Sequence, residues 1–121
     1  MSKKKTLVLG ASENPERYSN KAILKLRNAN HEVVAIGNKF GQVEDVVIEK
    51  DKLAFEEIDT ITLYLNPQNQ KPYYEYILKL KPNRIVFNPG TENYELAQIA
   101  KAAGIQIQEA CTLILLATGQ Y

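Results

Sequence analysis

The sequence predicts an α/β fold with a doubly wound, mostly parallel sheet of five or six strands and helices on both faces. Short apolar runs rich in β-branched residues alternate with stretches whose apolar residues recur at helical spacing, which is typical of βαβ units. Most of these runs end at glycine, asparagine or proline, residues that commonly turn the chain after a strand. The length of 121 residues suits one domain, so we expect residues 1–121 to form a single Rossmann-like domain.

Buried strands are indicated by short apolar runs that contain several β-branched residues. In chain order these runs are Thr6–Leu9, Val33–Ile36, Val46–Ile48, Thr60–Leu65, Arg84–Phe87 and Ile105–Ile107. The intervening segment Leu53–Ile58 is predicted to be a turn or a short helix.

Three amphipathic helices are indicated by apolar residues that repeat every three or four positions. Their apolar stripes are, in chain order, Ala22, Ile23, Leu26 and Ala29; Tyr73, Tyr76, Ile77 and Leu80; and Leu96, Ile99, Ala100 and Ala103. Ser19 is predicted to cap the first helix, Pro82 to stop the second and Gly104 to follow the third. The segment Thr112–Thr118 is predicted to be a short apolar helix or a packed tail, and Leu113–Ala117 is a candidate interface for a homo-oligomer or a partner subunit.

The composition argues against several classes of function. Fifteen Lys and Arg residues nearly balance fourteen Asp and Glu residues, and a net charge of +1 gives no general attraction to nucleic acid or to a membrane surface. No apolar run approaches the roughly 20 residues of a membrane span, and the single cysteine excludes an intrachain disulfide. We therefore expect a cytoplasmic protein that holds any anionic ligand in a local site.

The loops that follow the parallel strands are the expected ligand site, because ligands of open α/β sheets bind outside the carboxyl ends of the strands. The first of these loops carries the most information. Gly10 begins it, before Ala11, and permits a tight turn and close approach of the backbone to a ligand; Ser12 and Ser19 offer hydroxyl groups, and Arg17 offers a guanidinium group. The helix that follows presents free N–H groups suited to a phosphate.

Two departures from the dinucleotide-binding pattern narrow the range of candidate ligands. Ser12 and Pro15 stand where the later glycines of G-x-G-x-x-G would be, so the loop is predicted to be wider. The second strand ends at Gly37-Asn38-Lys39 and has no carboxylate for the 2′-hydroxyl of an NAD ribose. A lysine there favours a phosphate on the ribose, as in coenzyme A or NADP.

These residues resemble the small stand-alone CoA-binding domain proteins, which are similar to the N-terminal domain of the succinyl-CoA synthetase alpha subunit. The resemblance runs from Lys5 to about Cys111. It rests on the matching positions Gly10, Ala11, Ser12, Pro15, Arg17, Ser19, Asn38, Asn66, Pro67, Asn88, Pro89, Gly90, Thr91, Glu92, Asn93 and Cys111.

The resemblance implies a site for each part of the ligand. The first loop and helix start would hold the pyrophosphate, and Asn38 and Lys39 would face the adenosine 3′-phosphate. Asn66-Pro67 and the loop with Gly90 and Glu92 would flank the adenine or the pantetheine arm.

The resulting hypothesis is non-catalytic binding of coenzyme A or an acyl-CoA. The alternatives are an NADP-linked reductase and a CoA-dependent transferase subunit. His31, the only histidine, is predicted to lie in a surface turn at the amino edge of the sheet, away from the ligand loops. Cys111 is predicted to be a buried structural cysteine, since free cysteines are among the most buried residues. One cysteine and one histidine give no metal-binding spacing.

Overall fold

The computed structural model describes residues 2–121. Seven strands within these residues form a single sheet. The strands are β1 (Thr6–Ala11), β2 (Val33–Gly37), β3 (Gly41–Val43), β4 (Val46–Glu49), β5 (Thr60–Leu63), β6 (Arg84–Phe87) and β7 (Gln106–Glu109). Their order across the sheet is β3-β4-β2-β1-β5-β6-β7, and every neighbouring pair is parallel except β3 with β4. The doubly wound, mostly parallel α/β fold is confirmed.

Helices cover both faces of the sheet. They are α1 (Tyr18–Asn28), α2 (Pro67–Gln70), α3 (Tyr74–Leu80), α4 (Tyr94–Ala102) and α5 (Thr112–Ala117), with a 3-10 turn at Lys71–Tyr73 between α2 and α3. Helices α1 and α5 pack on the face that carries Val8, whereas α3 and α4 pack on the face that carries Leu7 and Leu9. The central strand is therefore buried on both faces, which explains its continuous apolar sequence.

The sequence predicts five or six strands, whereas the structure has seven, and β3 is the strand that was not predicted. Strand β3 lies at the edge of the sheet and pairs antiparallel with β4, Gln42 opposite Val47. Its sequence, Gly41-Gln42-Val43, contains a single clearly apolar residue because an edge strand needs little apolar surface. Glu44 supports the tight reversal into β4 with φ at +54°.

The connection from β4 to β5 contains no helix. The segment Leu53–Ile58, which was predicted to be a turn or a short helix, has irregular backbone. That leaves one face of β4 without a covering helix, and Val47 is 51% exposed there. Strand β5 ends at Leu63, two residues earlier than predicted, because Tyr64 and Leu65 already belong to the loop.

The strand order changes direction around β1, with β2 on one side and β5 on the other. In doubly wound sheets this arrangement opens a crevice at the carboxyl ends of the strands. No helix within residues 2–121 is long and apolar enough to cross a membrane.

Candidate functional site

A cleft of about 880 Å³ lies at the carboxyl edge of the sheet, where the loops after β1, β2, β5 and β6 meet. Of the eleven predicted site residues, nine line it: Gly10, Ala11, Ser12, Arg17, Ser19, Asn38, Lys39, Asn66 and Gly90. Pro67 and Glu92 do not line it. Pro67 begins α2, and the Glu92 carboxylate accepts the Gly90 N–H at 2.9 Å within its own loop.

Gly10 has a structural role in addition to the one expected from the sequence. It lies inside β1 at a break in the strand register, with φ at +99°. A Cβ at this position would stand 2.9 Å from the carbonyl carbon of Tyr64. The absence of a side chain therefore lets β1 approach the backbone that follows β5, and this contact forms the floor of the cleft.

The loop between β1 and α1 is held by its own polar groups. The Ser12 hydroxyl oxygen accepts the Asn14 N–H at 3.0 Å, and the Ser12 carbonyl accepts an N–H from the Asn20 side chain at 3.0 Å. Asn14 in turn accepts the Glu16 N–H at 3.0 Å. The Ser12 hydroxyl keeps its own proton for donation to a ligand.

The predicted N-cap at Ser19 is wrong. Arg17 N–H bonds to the Asn14 carbonyl at 3.0 Å and closes a turn over Pro15, so the helix begins at Tyr18 and Arg17 is its N-cap residue. Ser19 lies buried in the first helical turn and still lines the cleft. The Arg17 side chain is exposed and makes no capping bond, which leaves its guanidinium group available.

The lining residues that the predicted site set missed include two carboxylates, Glu13 and Glu16, and two aromatic rings, Tyr18 and Phe40. Tyr18 is 68% exposed and Phe40 61% exposed, so both rings are accessible to a molecule in the cleft. The Lys50 ammonium group lies 5.8 Å from the centre of the Phe40 ring. An aromatic residue directly after Lys39 was the signal that could have singled out Phe40.

The opposite wall is held together by side-chain amides, one exposed (Asn66) and one buried (Gln70). Asn66 caps α2 by accepting the Asn69 N–H at 2.9 Å. The fully buried Gln70 donates to the carbonyls of Leu65 and Thr91, both at 2.8 Å, and thereby joins the β5–α2 and β6–α4 loops. These two loops consequently form one rigid side of the cleft.

Tyr64 lines the cleft, whereas His31 and Cys111 do not. Burial raises the pKa of Tyr64 to about 12, so its phenol stays protonated at neutral pH. His31 lies at the amino edge of the sheet as predicted, but it is fully buried, so the predicted surface position is wrong. Its Nδ1 accepts the Lys4 N–H at 2.9 Å, and its ring meets Tyr121 edge-on with centroids 5.0 Å apart. Cys111 is partly rather than fully buried and precedes α5.

The fold and the cleft together define a Rossmann-like α/β domain with a polar cleft at its carboxyl edge. Residues 4–117 match the family model described as CoA binding domain. The match covers nearly the whole chain, and the protein therefore belongs to the CoA-binding domain family.

Solved structures support the same fold. The chain is 45% identical to a protein described only as uncharacterized in its crystal structure, with a TM-score of 0.97 and full coverage of both chains. It is 25% identical to a hypothetical protein from Pyrococcus horikoshii OT3, with a TM-score of 0.84 over 93% of this chain and 80% of that one. A Thermus thermophilus protein aligns with a TM-score of 0.86 at 20% identity, over 98% and 91% of the two chains. No curated protein matches the chain.

Proposed function

We propose that the protein binds coenzyme A or an acyl-CoA along the carboxyl-edge cleft and performs no chemistry on it. The observation that carries the proposal is the pair of cationic side chains in the cleft, Arg17 beside the start of α1 and Lys39 at the end of β2. Coenzyme A carries phosphate at two separate places, the pyrophosphate and the 3′-phosphate. Membership of the CoA-binding domain family supports this assignment.

The arrangement of the loops suggests a direction for the ligand. The start of α1 offers N–H groups and Arg17 to the pyrophosphate. Lys39 and the exposed Phe40 ring suit the phosphorylated adenosine. The pantetheine arm then runs towards Asn66 and Gly90 on the neutral wall, where the cleft lining carries amide and hydroxyl groups and no charged side chain.

A binding role agrees with the chemistry of the lining residues. The Ser12 hydroxyl has the Asn14 N–H as its partner and no imidazole nearby, because the only histidine lies at the other edge of the sheet. Tyr64, with its pKa at about 12, is no base at neutral pH. A serine nucleophile is commonly activated by an adjacent imidazole, and the sequence supplies none on this side of the sheet.

Ligand-induced stabilisation tests the proposal directly, because a ligand that binds only the folded state raises the melting temperature. We expect coenzyme A and acetyl-CoA to raise it more than 3′-dephospho-CoA, and NADPH and NADH to have little effect. Stabilisation by NADPH in preference to coenzyme A would overturn the proposal and favour the NADP-linked alternative. A panel with no stabilising nucleotide would overturn it as well.

A further inference from the structure

The three-residue turn Asn38–Phe40 is fixed at both ends by glycines that lie against the first loop. A Cβ on Gly37 would stand 2.3 Å from the carbonyl oxygen of Ala11. A Cβ on Gly41 would stand 2.4 Å from the side-chain Cδ of Glu13. Neither glycine has a positive φ, so the close contacts and not the backbone conformation disfavour a side chain. The Gly37 contact is with backbone and requires glycine, whereas the Gly41 contact is with the flexible end of Glu13, which an added methyl group would displace.

Glu13 makes the second of these contacts through a hydrogen bond as well. Its Oε2 accepts the Gln42 N–H at 2.9 Å across 29 positions of sequence. Strand β3 is the edge of the sheet, where backbone N–H groups lack a neighbouring strand, and Glu13 supplies the missing acceptor. We call this pair of contacts, Glu13 with Gly41 and with Gln42, the Glu13 clamp.

We propose that Glu13 is a positioning residue, whose clamp holds Lys39 and Phe40 in place to receive the phosphorylated adenosine end of the ligand. The inference rests on the proposed function, because it assumes that coenzyme A occupies the cleft. Lys39 and Phe40 are exposed side chains on a short turn. Their directions therefore depend on the anchoring of the turn and not on packing around them.

The negative charge and the positioning role of Glu13 have opposite effects on ligand affinity. The carboxylate lines a cleft that receives a polyanion, so its charge opposes binding while its hydrogen bond favours it. Replacement by glutamine removes the charge and keeps an oxygen that accepts the Gln42 N–H. Replacement by alanine removes both. Comparison of E13Q with E13A therefore isolates the clamp from the charge.

Titration calorimetry with coenzyme A and 3′-dephospho-CoA measures the effect. We expect E13Q to bind coenzyme A at least as tightly as the native protein and to keep its preference over 3′-dephospho-CoA. We expect E13A to bind coenzyme A roughly fivefold more weakly than E13Q, as the loss of one hydrogen bond implies, with a reduced preference for the 3′-phosphate. A merely structural role would lower affinity for both ligands equally. Equal preference ratios in E13A and E13Q would overturn the proposal.

A second variant changes the clamp from the other side. The added methyl group in G41A displaces the Glu13 side chain, so G41A should lose the 3′-phosphate preference as E13A does. Amide hydrogen exchange at Gln42 without ligand reports the clamp separately: exchange should accelerate in E13A and G41A and stay slow in E13Q. Unchanged exchange in E13A would overturn the clamp. Slow exchange in a native protein that fails to bind coenzyme A would instead overturn the proposed function.

Discussion

The side-chain oxygen of Asn88 accepts the backbone N–H of Thr112 at 2.8 Å and so joins the end of β6 to the start of α5. The same side chain donates to the Thr62 hydroxyl at 2.7 Å and to the Leu63 carbonyl at 2.8 Å. Asn88 is only 2% exposed, and the residues after it, Pro89 and Gly90, line the cleft. One buried amide thus fixes the neutral wall to the C-terminal helix.

The substitution N88A should destabilise the protein by about 2–4 kcal/mol, because it leaves buried donors and acceptors without partners. Urea unfolding measures the change. Q98A, at an exposed position of α4, is the control and should stay within about 0.5 kcal/mol of the native protein. An N88A variant as stable as Q98A would show that the amide network contributes little.

Gly37 should tolerate no side chain, because a Cβ would collide with the Ala11 carbonyl oxygen. We expect G37A to lose about 1–3 kcal/mol of stability by overpacking and to bind coenzyme A more weakly, since Ala11, which lines the cleft, must move. G104A is a matched control: Gly104 has φ at +81° with open space around it, far from the cleft lining. It should lose about 1 kcal/mol to backbone strain and keep native affinity. Weakened binding in both variants would point to general destabilisation instead.

Lys39 should recognise the 3′-phosphate. K39M is expected to weaken binding of coenzyme A by about tenfold, the value of one charge-assisted hydrogen bond, and to leave binding of 3′-dephospho-CoA nearly unchanged. K101M removes an exposed lysine from the last turn of α4 and serves as control for net charge. Parallel losses for both ligands in K39M would assign Lys39 to another part of the ligand.

Arg17 should behave differently from Lys39, because its position beside the start of α1 suits the pyrophosphate that both ligands share. R17Q is therefore expected to weaken the binding of coenzyme A and of 3′-dephospho-CoA by the same factor, about tenfold. Calorimetry at two salt concentrations should show a smaller salt dependence in R17Q, since one ion contact is gone. Selective loss of coenzyme A binding would instead place the 3′-phosphate at Arg17.

His31 should make folding sensitive to acid. Burial lowers its pKa, and Lys3, Lys4 and Arg84 lower it further, while Asp59 acts in the opposite direction. The folded state therefore disfavours the protonated imidazole. Its contribution to stability is complete above the unfolded pKa of about 6.5 and is lost as the pH falls towards the lower folded pKa.

The asparagine variant provides the comparison for this effect. H31N retains an oxygen near the Nδ1 position for the Lys4 N–H and has no group that titrates. Between about pH 7.5 and about pH 5, the native protein should lose more free energy of unfolding than H31N. Equal losses in both proteins would show that His31 is protonated without penalty in the folded state.

The sequence predicts the sheet well because its central strands are buried on both faces. Runs such as Leu7-Val8-Leu9 and Ile85-Val86-Phe87 must be apolar to occupy that position, and their unbroken apolar sequence reveals them. Strand β3 carries no such signal, since an edge strand with one buried valine needs none. The capping signal at Ser19 predicts the start of α1 incorrectly, because the turn from Asn14 to Arg17 makes the helix begin at Tyr18 instead.

The site is predictable to the level of its loops but not of its internal contacts. The rule that ligands bind at the carboxyl ends of strands selects Gly10, Lys39, Asn66 and Gly90 without structural information, and the structure brings them into one cleft. The bond from Glu13 to Gln42 and the bonds from Gln70 to two loops depend on side chains that meet across long stretches of sequence. No local pattern encodes them.

The most direct test is an NMR titration of isotopically labelled protein with coenzyme A, in which the amide chemical shift of each residue is monitored. We predict the largest changes in residues 10–19, 38–42 and 89–91, around the carboxyl-edge cleft, and little change near His31 and Tyr121 at the amino edge. The structure offers a competing groove of about 600 Å³ lined by Lys52, Phe55 and Lys79. Shifts centred on that groove, or no shifts at all, would contradict the account.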